Sequence, residues 1–497
     1  MKLEIDNRTP YLNDYYFQTL CLLFFPGEKF RLDDAGVNRA SFLLCKRNGS
    51  YYSEVRLVSG DKSAFASFDT DGYTPSIPMD EEFFATAALG KAFLLAGSRL
   101  FGFELPWGYL TGLRPVKRAK YYLDRGYSPE LVSRLFAEDY NVFDSKTALS
   151  VETALTEERM LEGIGPNDCG LYVSIPFCPT RCDYCSFVSY SNAKLFGLIP
   201  EYLERLHIDI ERTARLIKEL GMNIKSIYIG GGTPSILDVP QTDALLDCIV
   251  KNIRPDSGTE FTFEGGRPDT LTLEKMRAVY AHGVGRISIN PQSTSDAVLQ
   301  KIGRHHTSDM FFAAVNDAKT VGFDCMNADL IAGLPGDTDE SFARSLDDVI
   351  SLGFENITVH TLSIKNAAPI RFIDNGYYDP SGDFARRSVS YAYDTLKSKN
   401  YSPYYLYRQK NTVGNAENTG YSVSGKENLY NVLMMEEYST VFACGAGSIT
   451  KLVDKTRTVI DRIAFPKYPF EYLREDKGIG ADRAKEFFAD NRKEDTD

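Results

Sequence analysis

The sequence predicts an α/β protein with a partial (β/α)6 barrel at its centre, a separate N-terminal α+β domain and a C-terminal α+β extension. The barrel is predicted from about residue 170 onward, where short β-rich runs alternate with stretches of helical spacing. Such alternation is typical of βαβ units around a parallel sheet. Six repeats favour a barrel, and an open doubly wound sheet is the alternative.

The predicted strands are followed by polar and glycine residues. The strand runs are LYVSIP, SIYIGGG, EFTFEGG, RISINPQ, NADLIAGLP and NITVHTLSI, which begin at Leu171, Ser226, Glu260, Arg286, Asn327 and Asn356. Helical spacing is found at 201–220, 272–283 and 339–353. Gly230–Pro234, Glu264, Gln292 and Asp329 come at the ends of strand runs. Because β/α barrels build their active sites at the C-terminal strand edge, we expect the chemistry there.

The flanking regions have a different pattern. Residues 1–150 carry aromatic-rich runs and the only tryptophan, and they are predicted to form the N-terminal domain. The barrel domain is predicted at 165–370. Residues 371–497 are predicted to be a C-terminal extension that covers the substrate.

Composition narrows the class of protein. The 497 residues are 43% hydrophobic and 25% charged, and the formal net charge is -12, which argues against a general nucleic-acid binder. No run approaches the roughly 18 consecutive apolar residues of a membrane span, and the start of the chain lacks the apolar core of a secretory signal. Nine cysteines, an odd number, do not suggest a disulfide framework. We therefore expect a cytoplasmic protein with no membrane span.

Three cysteines in one short stretch carry the strongest chemical signal. Cys178, Cys182 and Cys185 have the spacing C-x3-C-x2-C in FCPTRCDYC. A four-iron, four-sulfur cluster held by three thiolates leaves one iron open, and S-adenosylmethionine can bind there through its amino and carboxylate groups. A zinc site usually has a second Cys or His pair, which is absent here. The alternatives are structural zinc with Cys169 as fourth ligand, or three incidental thiols.

Other positions fit a nucleotide-like ligand, each with a plainer alternative. The glycines of YIGGGTP allow close approach of the backbone to a carboxylate, although a glycine run alone is more often a tight turn. Glu264 ends the next strand and fits an ammonium group, or else it is a solvated carboxylate. Asp329 interrupts an apolar run, which is costly unless the carboxylate has a partner. The partner of this carboxylate would be either a ribose hydroxyl of a ligand or a hydrogen-bond donor of the protein itself.

Taken together, these stretches resemble the oxygen-independent coproporphyrinogen III oxidase (coproporphyrinogen dehydrogenase) family of radical S-adenosylmethionine enzymes. The resemblance rests on LYVSIPFCPTRCDYC, GGGTP, NADLIAGLP, Glu264, Gln292 and Arg304, and it covers about 170–370, weakening to about 450. The run PYYLYRQKNTVGNAENTGY and the long N-terminal extension are similar to one branch of this family.

The resemblance implies a radical SAM barrel and a set of site residues. The cluster ligands would be Cys178, Cys182 and Cys185, and the first S-adenosylmethionine would contact Tyr172, Tyr184, Gly231, Gly232, Thr233 and Glu264. Gln292, Arg304 and Asp329 match positions that help to hold S-adenosylmethionine, in part a second molecule. Tyr172, Glu264 and Arg304 are the implied catalytic residues. A 5′-deoxyadenosyl radical would abstract propionate β-hydrogens, and two rounds would convert coproporphyrinogen III to protoporphyrinogen IX.

The same resemblance implies partners and shows two departures. The partners are coproporphyrinogen III or a related tetrapyrrole and a low-potential electron donor of the flavodoxin or ferredoxin type. Ser174 stands where well-characterised oxidases have His, and Phe187 stands where they have a further Cys. Neither departure removes a cluster ligand.

A substrate with four carboxylates calls for a basic pocket, and the sequence offers two candidates. Arg suits bidentate carboxylate binding and Tyr suits a flat macrocycle. The first candidate is Arg114, Lys117 and Arg118, and the second is Arg408 and Lys410 among Tyr404, Tyr405 and Tyr407. For each group the plainer interpretation is a solvated basic face.

Two other functions use the same scaffold. One is a non-catalytic haem-binding or haem-delivery protein, for which His305 and His306 are candidate axial ligands. The other is a different radical S-adenosylmethionine enzyme that acts on a tetrapyrrole. All three functions predict cluster binding, and only the oxidase predicts release of CO2 from coproporphyrinogen.

Overall fold

The computed structural model describes residues 1–30, 36–112, 114–186, 190–191, 193–365, 368–372, 382–474 and 478–490. The N-terminal part contains a four-stranded sheet in the order β1-β2-β3-β4, in which β1 runs parallel to β2 and the other pairs are antiparallel. Its elements are β1 (Lys2–Asn7), α1 (Asp14–Phe24), β2 (Asn38–Arg47), β3 (Ser50–Ser59), β4 (Lys62–Asp69), α2 (Glu81–Phe101), α3 (Pro115–Leu123), α4 (Pro129–Arg134) and α5 (Asp144–Leu161).

Local sequence explains how this sheet gains its core. In β3, Tyr51, Ser53, Val55 and Leu57 are buried and the residues between them are more exposed, as expected for a strand with one face on the core. The helix α2 lies against β3 and β4. Asp80 caps its N-terminus by accepting a hydrogen bond from the backbone N–H of Phe83.

The central part contains the predicted alternation of strands and helices. Its elements are β5 (Asp168–Ile175), α6 (Ala193–Phe196), α7 (Ile199–Glu219), β6 (Asn223–Gly231), α8 (Val239–Ile253), β7 (Glu260–Gly266), α9 (Leu273–Ala281), β8 (Arg286–Ile289), α10 (Asp296–Lys301), α11 (Ser308–Val321), β9 (Cys325–Ala332), α12 (Asp339–Ser351) and β10 (Asn356–Thr361). The strands β5 to β10 are parallel and lie side by side in chain order. This order has no reversal, whereas a doubly wound sheet reverses at its switch point.

The C-terminal part continues the same sheet at both edges. Its elements are α13 (Asp383–Ser398), β11 (Ser402–Tyr407), β12 (Asn418–Ser422), α14 (Leu429–Glu436), β13 (Thr440–Cys444), β14 (Ile449–Val453), β15 (Ile460–Ala464), α15 (Pro469–Arg474) and α16 (Ala481–Asp490). Among the described residues the sheet has eleven strands in the order β11-β12-β10-β9-β8-β7-β6-β5-β13-β14-β15. Strand β12 is antiparallel to β10 and to β11, and β13 is parallel to β5.

One buried apolar core joins the N-terminal part to the barrel. It runs from Phe17 and Phe93 through Leu149 of α5 to Phe311 and Tyr421. A second core lies between β5 to β7 and the helices α7 and α8. The N-terminal part is therefore packed firmly on the outside of the second half of the barrel.

Two sequence expectations about strand positions need correction. The sequence predicts that the first barrel strand begins at Leu171, but β5 begins at Asp168, so Cys169 lies inside this strand and is buried in the core that it shares with α7. Asp329 was placed just after its strand, but it lies within β9. Both errors arise because strand ends are poorly marked by composition.

One helix bears on the expectation of no membrane span. In the part of the chain that the structure describes, α2 is long and apolar enough to cross a membrane, and 56% of its most apolar window is buried inside the protein. Buried core helices of water-soluble proteins meet the same criteria, so this is weak evidence for a span.

Candidate functional site

The cysteine loop begins just after β5, at the C-terminal edge of the parallel strands. Its backbone is fixed by hydrogen bonds from Cys178 N to Tyr190 O (3.0 Å) and from Asp183 N to Ile302 O (3.0 Å). Cys178 and Cys182 are buried, and Cys185 is partly exposed. None of the three forms a disulfide. Across the described residues, no three His, Cys, Asp or Glu side chains are arranged around a single metal-ion position.

The glycine-rich segment after β6 packs directly on this loop. Gly232 N donates to Ile175 O (2.8 Å), and the hydroxyl of Thr233 donates to Sγ of Cys178 (3.3 Å). A Cβ atom on Gly232 would lie 2.6 Å from Phe177 O and 2.9 Å from Sγ of Cys178. The glycine therefore leaves the space beside the first thiol open.

Arg304 connects the same loop to the ends of β7 and β8. Its Nη1 donates to the hydroxyl oxygen of Tyr184 (2.9 Å) and lies 3.9 Å from Sγ of Cys182. Its Nη2 donates to Asn290 O (2.5 Å), and its Nε donates to Nδ1 of His306 (3.2 Å). The buried guanidinium thus holds the aromatic residue before the third cysteine against the barrel.

Glu264 lies in β7, beside the glycine-rich segment. A Cβ atom on Gly230 would be 2.6 Å from Oε2 of Glu264. Burial and the nearby carboxylate of Asp329 raise the pKa of Glu264 to about 8, although hydrogen bonds from Tyr228 and from the backbone of Gly231 oppose the shift. A cationic ligand group would stabilise the ionised carboxylate.

Gln292 and Asp329 are joined through their backbones. Gln292 has a positive φ of 66°, and its N–H donates to Asp329 O (2.9 Å). The side-chain Oε1 of Gln292 is buried and has no hydrogen-bond partner in the described part of the chain. The carboxylate of Asp329 lies 3.8 Å from Nε2 of His360. The unpaired acceptor on Gln292 suits a ligand hydroxyl.

The barrel interior contains stacked tyrosines, one of which the sequence analysis missed. The ring centre of Tyr430, from α14, lies 4.4 Å from that of Tyr228 and 5.7 Å from that of Tyr172, and in both pairs the ring planes are nearly parallel. The amide N–H groups of Leu429 and Tyr430 bond to the carboxylate of Glu260 at the start of β7. The helix α14 therefore enters the end of the barrel opposite the cysteine loop. No local pattern distinguishes Tyr430 among 30 tyrosines.

Several predicted positions lie elsewhere or have other partners. Arg114 and Lys117 bond to the carboxylate of Glu437 at 2.7 and 3.1 Å, so their charges are already paired. His306, a candidate surface ligand, is 2% exposed and accepts from Arg304, so it does not offer a surface imidazole. Ser174 is buried and donates to Ala446 O (3.0 Å). Phe187 lies outside the described residues.

Comparison with known proteins identifies the family. The model of the radical SAM superfamily matches residues 172–349. The oxygen-independent coproporphyrinogen-III oxidase-like protein HemZ of Bacillus subtilis is 36% identical over 382 residues, which cover 75% of this chain and 75% of HemZ. The chain belongs to the oxygen-independent coproporphyrinogen III oxidase-like family. This confirms the family and its radical SAM superfamily as predicted.

The chain is also similar to a heme chaperone in sequence and to a solved coproporphyrinogen III oxidase in structure. The heme chaperone HemW of Bacillus subtilis is 35% identical over 195 residues, which are 39% of this chain and 50% of HemW. The solved structure of coproporphyrinogen III oxidase HemN from Escherichia coli has a TM-score of 0.50 and 22% identity, covering 65% of this chain and 72% of HemN. The likeness to HemN shows the fold alone, and it confirms the predicted α/β class with a radical SAM barrel.

Membership of the radical SAM superfamily also confirms the two predicted cofactors, a four-iron, four-sulfur cluster and S-adenosylmethionine. The described residues fit them in chemistry. The three cysteines lie on one loop and none of them forms a disulfide, and the missing Cβ of Gly232 leaves space beside Sγ of Cys178. Among the described residues, the buried Oε1 of Gln292 has no hydrogen-bond partner. The assignment of individual residues to each cofactor stays a prediction.

Proposed function

We propose that this protein is a radical SAM enzyme that oxidatively decarboxylates coproporphyrinogen III to protoporphyrinogen IX. The observation that best supports this proposal is that the cysteine loop, the glycine-rich segment and Glu264 lie together at one edge of the barrel. The 36% identity to HemZ supports the substrate class. Two of the four propionates react, and each of these two loses one hydrogen atom from its β-carbon, CO2 and one electron, which leaves a vinyl group.

The chain's own residues have distinct roles in this proposal. Cys178, Cys182 and Cys185 hold the cluster. When bound, the cluster and S-adenosylmethionine supply a 5′-deoxyadenosyl radical. Glu264 binds the ammonium group of S-adenosylmethionine. Oε1 of Gln292 accepts a hydrogen bond from a hydroxyl of the same ligand. Tyr172 and Asp329 enclose the cofactor and exclude water in this proposal. Arg304, which was predicted to be catalytic, acts by positioning the cysteine loop through Tyr184.

The reaction also needs partners outside the chain. We assign the single electron for each cleavage to a low-potential donor of the flavodoxin or ferredoxin type. The released substrate electron passes to a separate acceptor. A cytoplasmic location fits this reductive chemistry, and the net charge of -12 gives no support for a nucleic-acid partner.

A second candidate function is haem binding or delivery, favoured by the 35% identity to the heme chaperone HemW. His305 is exposed, whereas His306 is buried. His305 is therefore the side chain of this pair that can reach an external haem iron. A third candidate, another radical reaction on a tetrapyrrole, shares the site but releases different products.

Anaerobic turnover separates these functions. The reconstituted protein, a reductant and S-adenosylmethionine are incubated with coproporphyrinogen III, and the products are identified by mass. We expect loss of two CO2 and formation of protoporphyrinogen IX. Cleavage to 5′-deoxyadenosine without decarboxylation would refute the substrate, and stoichiometric haem binding without turnover would favour the second function.

A further inference from the structure

Arg408 is a buried cation at the rim of the barrel. It follows the last residue of β11 and is 8% exposed. Its Nη1 donates a 2.5 Å hydrogen bond to Leu110 O of the N-terminal part. Its guanidinium lies 5.4 Å from the ring centre of Trp107, the only tryptophan of the chain. The site is thus built by the N-terminal and C-terminal parts together.

The charges around Arg408 do not balance. The carboxylate of Glu417 accepts from Nζ of Lys146 (2.6 Å) and from Nε1 of Trp107 (2.9 Å). No described carboxylate lies within 4.0 Å of the guanidinium of Arg408. Two cations therefore share one anion, and burial lowers the pKa of Arg408 to about 10. A buried cation without its own counter-charge is costly, so a carboxylate that arrives there is favoured.

The guanidinium also keeps donors free. Neither Nε nor Nη2 of Arg408 donates a hydrogen bond to a described residue, and neither is sealed from solvent. Arginine binds a carboxylate through two parallel N–H donors. Nε and Nη2 of Arg408 are adjacent N–H donors of this kind, so together they can bind the two oxygens of one carboxylate.

The position of Arg408 connects it to the candidate site. Strand β11 runs in the same direction as β10, because β12 between them is antiparallel to both. Arg408 therefore lies at the C-terminal edge of the barrel strands. Its neighbour Tyr407 contacts Nδ1 of His360 (3.4 Å), and His360 lies 3.8 Å from Asp329. This chain of contacts leads from the rim to the predicted cofactor residues.

We propose that Arg408, flanked by Trp107, binds a carboxylate of the substrate, a propionate side chain of the tetrapyrrole. The inference rests on the proposed function, because the substrate class comes from it. It gives the N-terminal part a role in substrate binding through Trp107 and Leu110. Arg114 and Lys117 are not available for this role, since both pair with Glu437.

The single tryptophan makes the site directly observable. The full chain, without reductant, is titrated anaerobically with coproporphyrinogen III, which lacks the conjugation that would quench emission at a distance. We expect a saturable change in Trp107 emission. Binding measured by equilibrium dialysis with no change in that emission would overturn the proposal without any variant.

Variants add the side-chain test. We expect Arg408→Gln to raise the dissociation constant roughly 10- to 100-fold and Arg408→Lys to raise it several-fold, since Lys keeps the charge but not the paired donors. Arg344→Gln, on an exposed face of α12, is the matched control and should bind as the wild type. Wild-type affinity in a folded Arg408→Gln protein refutes the site. If Arg408→Gln does not fold, the affinity of Arg408→Lys and the change in Trp107 emission of the wild type decide whether the site exists.

This test separates the site from the proposed function. Binding that involves Arg408 without decarboxylation leaves the site in place and removes the oxidase activity. Normal decarboxylation with unchanged affinity in Arg408→Gln removes the site and leaves the oxidase activity in place.

Discussion

Arg304 donates a 2.9 Å hydrogen bond to the hydroxyl of Tyr184, the residue that precedes the third cysteine of the loop. The same guanidinium bonds to Asn290 O and to His306. It therefore anchors the cysteine loop to the barrel rather than standing free for a ligand. Its contribution to cofactor binding is expected to act largely through the position of the loop.

Replacing Arg304 should loosen the cysteine loop. We expect Arg304→Gln to lower the retained iron per chain and to weaken S-adenosylmethionine binding by roughly 10-fold or more, because charge-assisted hydrogen bonds contribute about 1.5–3 kcal/mol each. Tyr184→Phe removes only one acceptor and should have a smaller effect. For each variant, iron analysis measures the retained cluster, and the change in the electron paramagnetic resonance spectrum with added S-adenosylmethionine measures binding of that cofactor. Unchanged iron retention in Arg304→Gln would contradict the anchoring role.

A methyl group at position 232 should displace the first thiol. Gly232→Ala would place Cβ 2.6 Å from Phe177 O and 2.9 Å from Sγ of Cys178, distances that require backbone movement. We expect a folded protein that loses most of its cluster. Gly112→Ala is the control, because its Cβ would meet no atom of the described residues within 4 Å. Equal iron content and equal circular dichroism in the two variants would argue against this packing.

Glu264 should make stability depend on pH in the absence of ligand. Its pKa is raised from 4.5 to about 8, so the unfolded chain ionises first. The stability linked to this carboxyl is complete below about pH 4.5 and is lost as the pH rises through 8. We expect Glu264→Gln to unfold at a higher temperature than the wild type at pH 9, with little difference at pH 4.5.

The same substitution should weaken cofactor binding, since a neutral amide does not pair with an ammonium group. We expect a loss of roughly 10-fold or more in affinity for S-adenosylmethionine, equivalent to about 1.4 kcal/mol. Glu274→Gln, at an exposed position on α9, is the control for both measurements. A wild-type melting profile at pH 9 together with wild-type affinity would remove Glu264 from the site.

The buried ion pair between α5 and the residue before β12 should hold the N-terminal part in place. Lys146→Met leaves the carboxylate of Glu417 with Trp107 as its remaining side-chain donor. We expect the free energy of unfolding of this variant to fall by about 3–5 kcal/mol, as measured by the emission of Trp107 during urea unfolding. Lys397→Met, which breaks the more exposed pair with Glu152, should cost about 1 kcal/mol or less. Equal losses would show that burial does not set the cost.

The barrel and the cysteine loop could be predicted because their signals are local. Each strand run and each following polar residue lies within about ten positions, and the three cysteines define their own loop. Trp107 and Glu417 are 310 positions apart, and their contact has no mark in the sequence. The pairing of Arg114 with Glu437, 323 positions away, was missed for the same reason. Long-range pairs depend on how the flanking parts pack, which periodicity does not encode.

The placement of β13 next to β5 affects how the chain emerges from the ribosome. The first barrel strand, near residue 170, has one long edge that is covered only by a segment about 270 positions later. Until that segment is synthesised, β5 presents unpaired backbone groups to other chains. Nascent chains that stall before residue 440 should therefore be prone to aggregate and should depend on chaperones, even though all six central strands are already present.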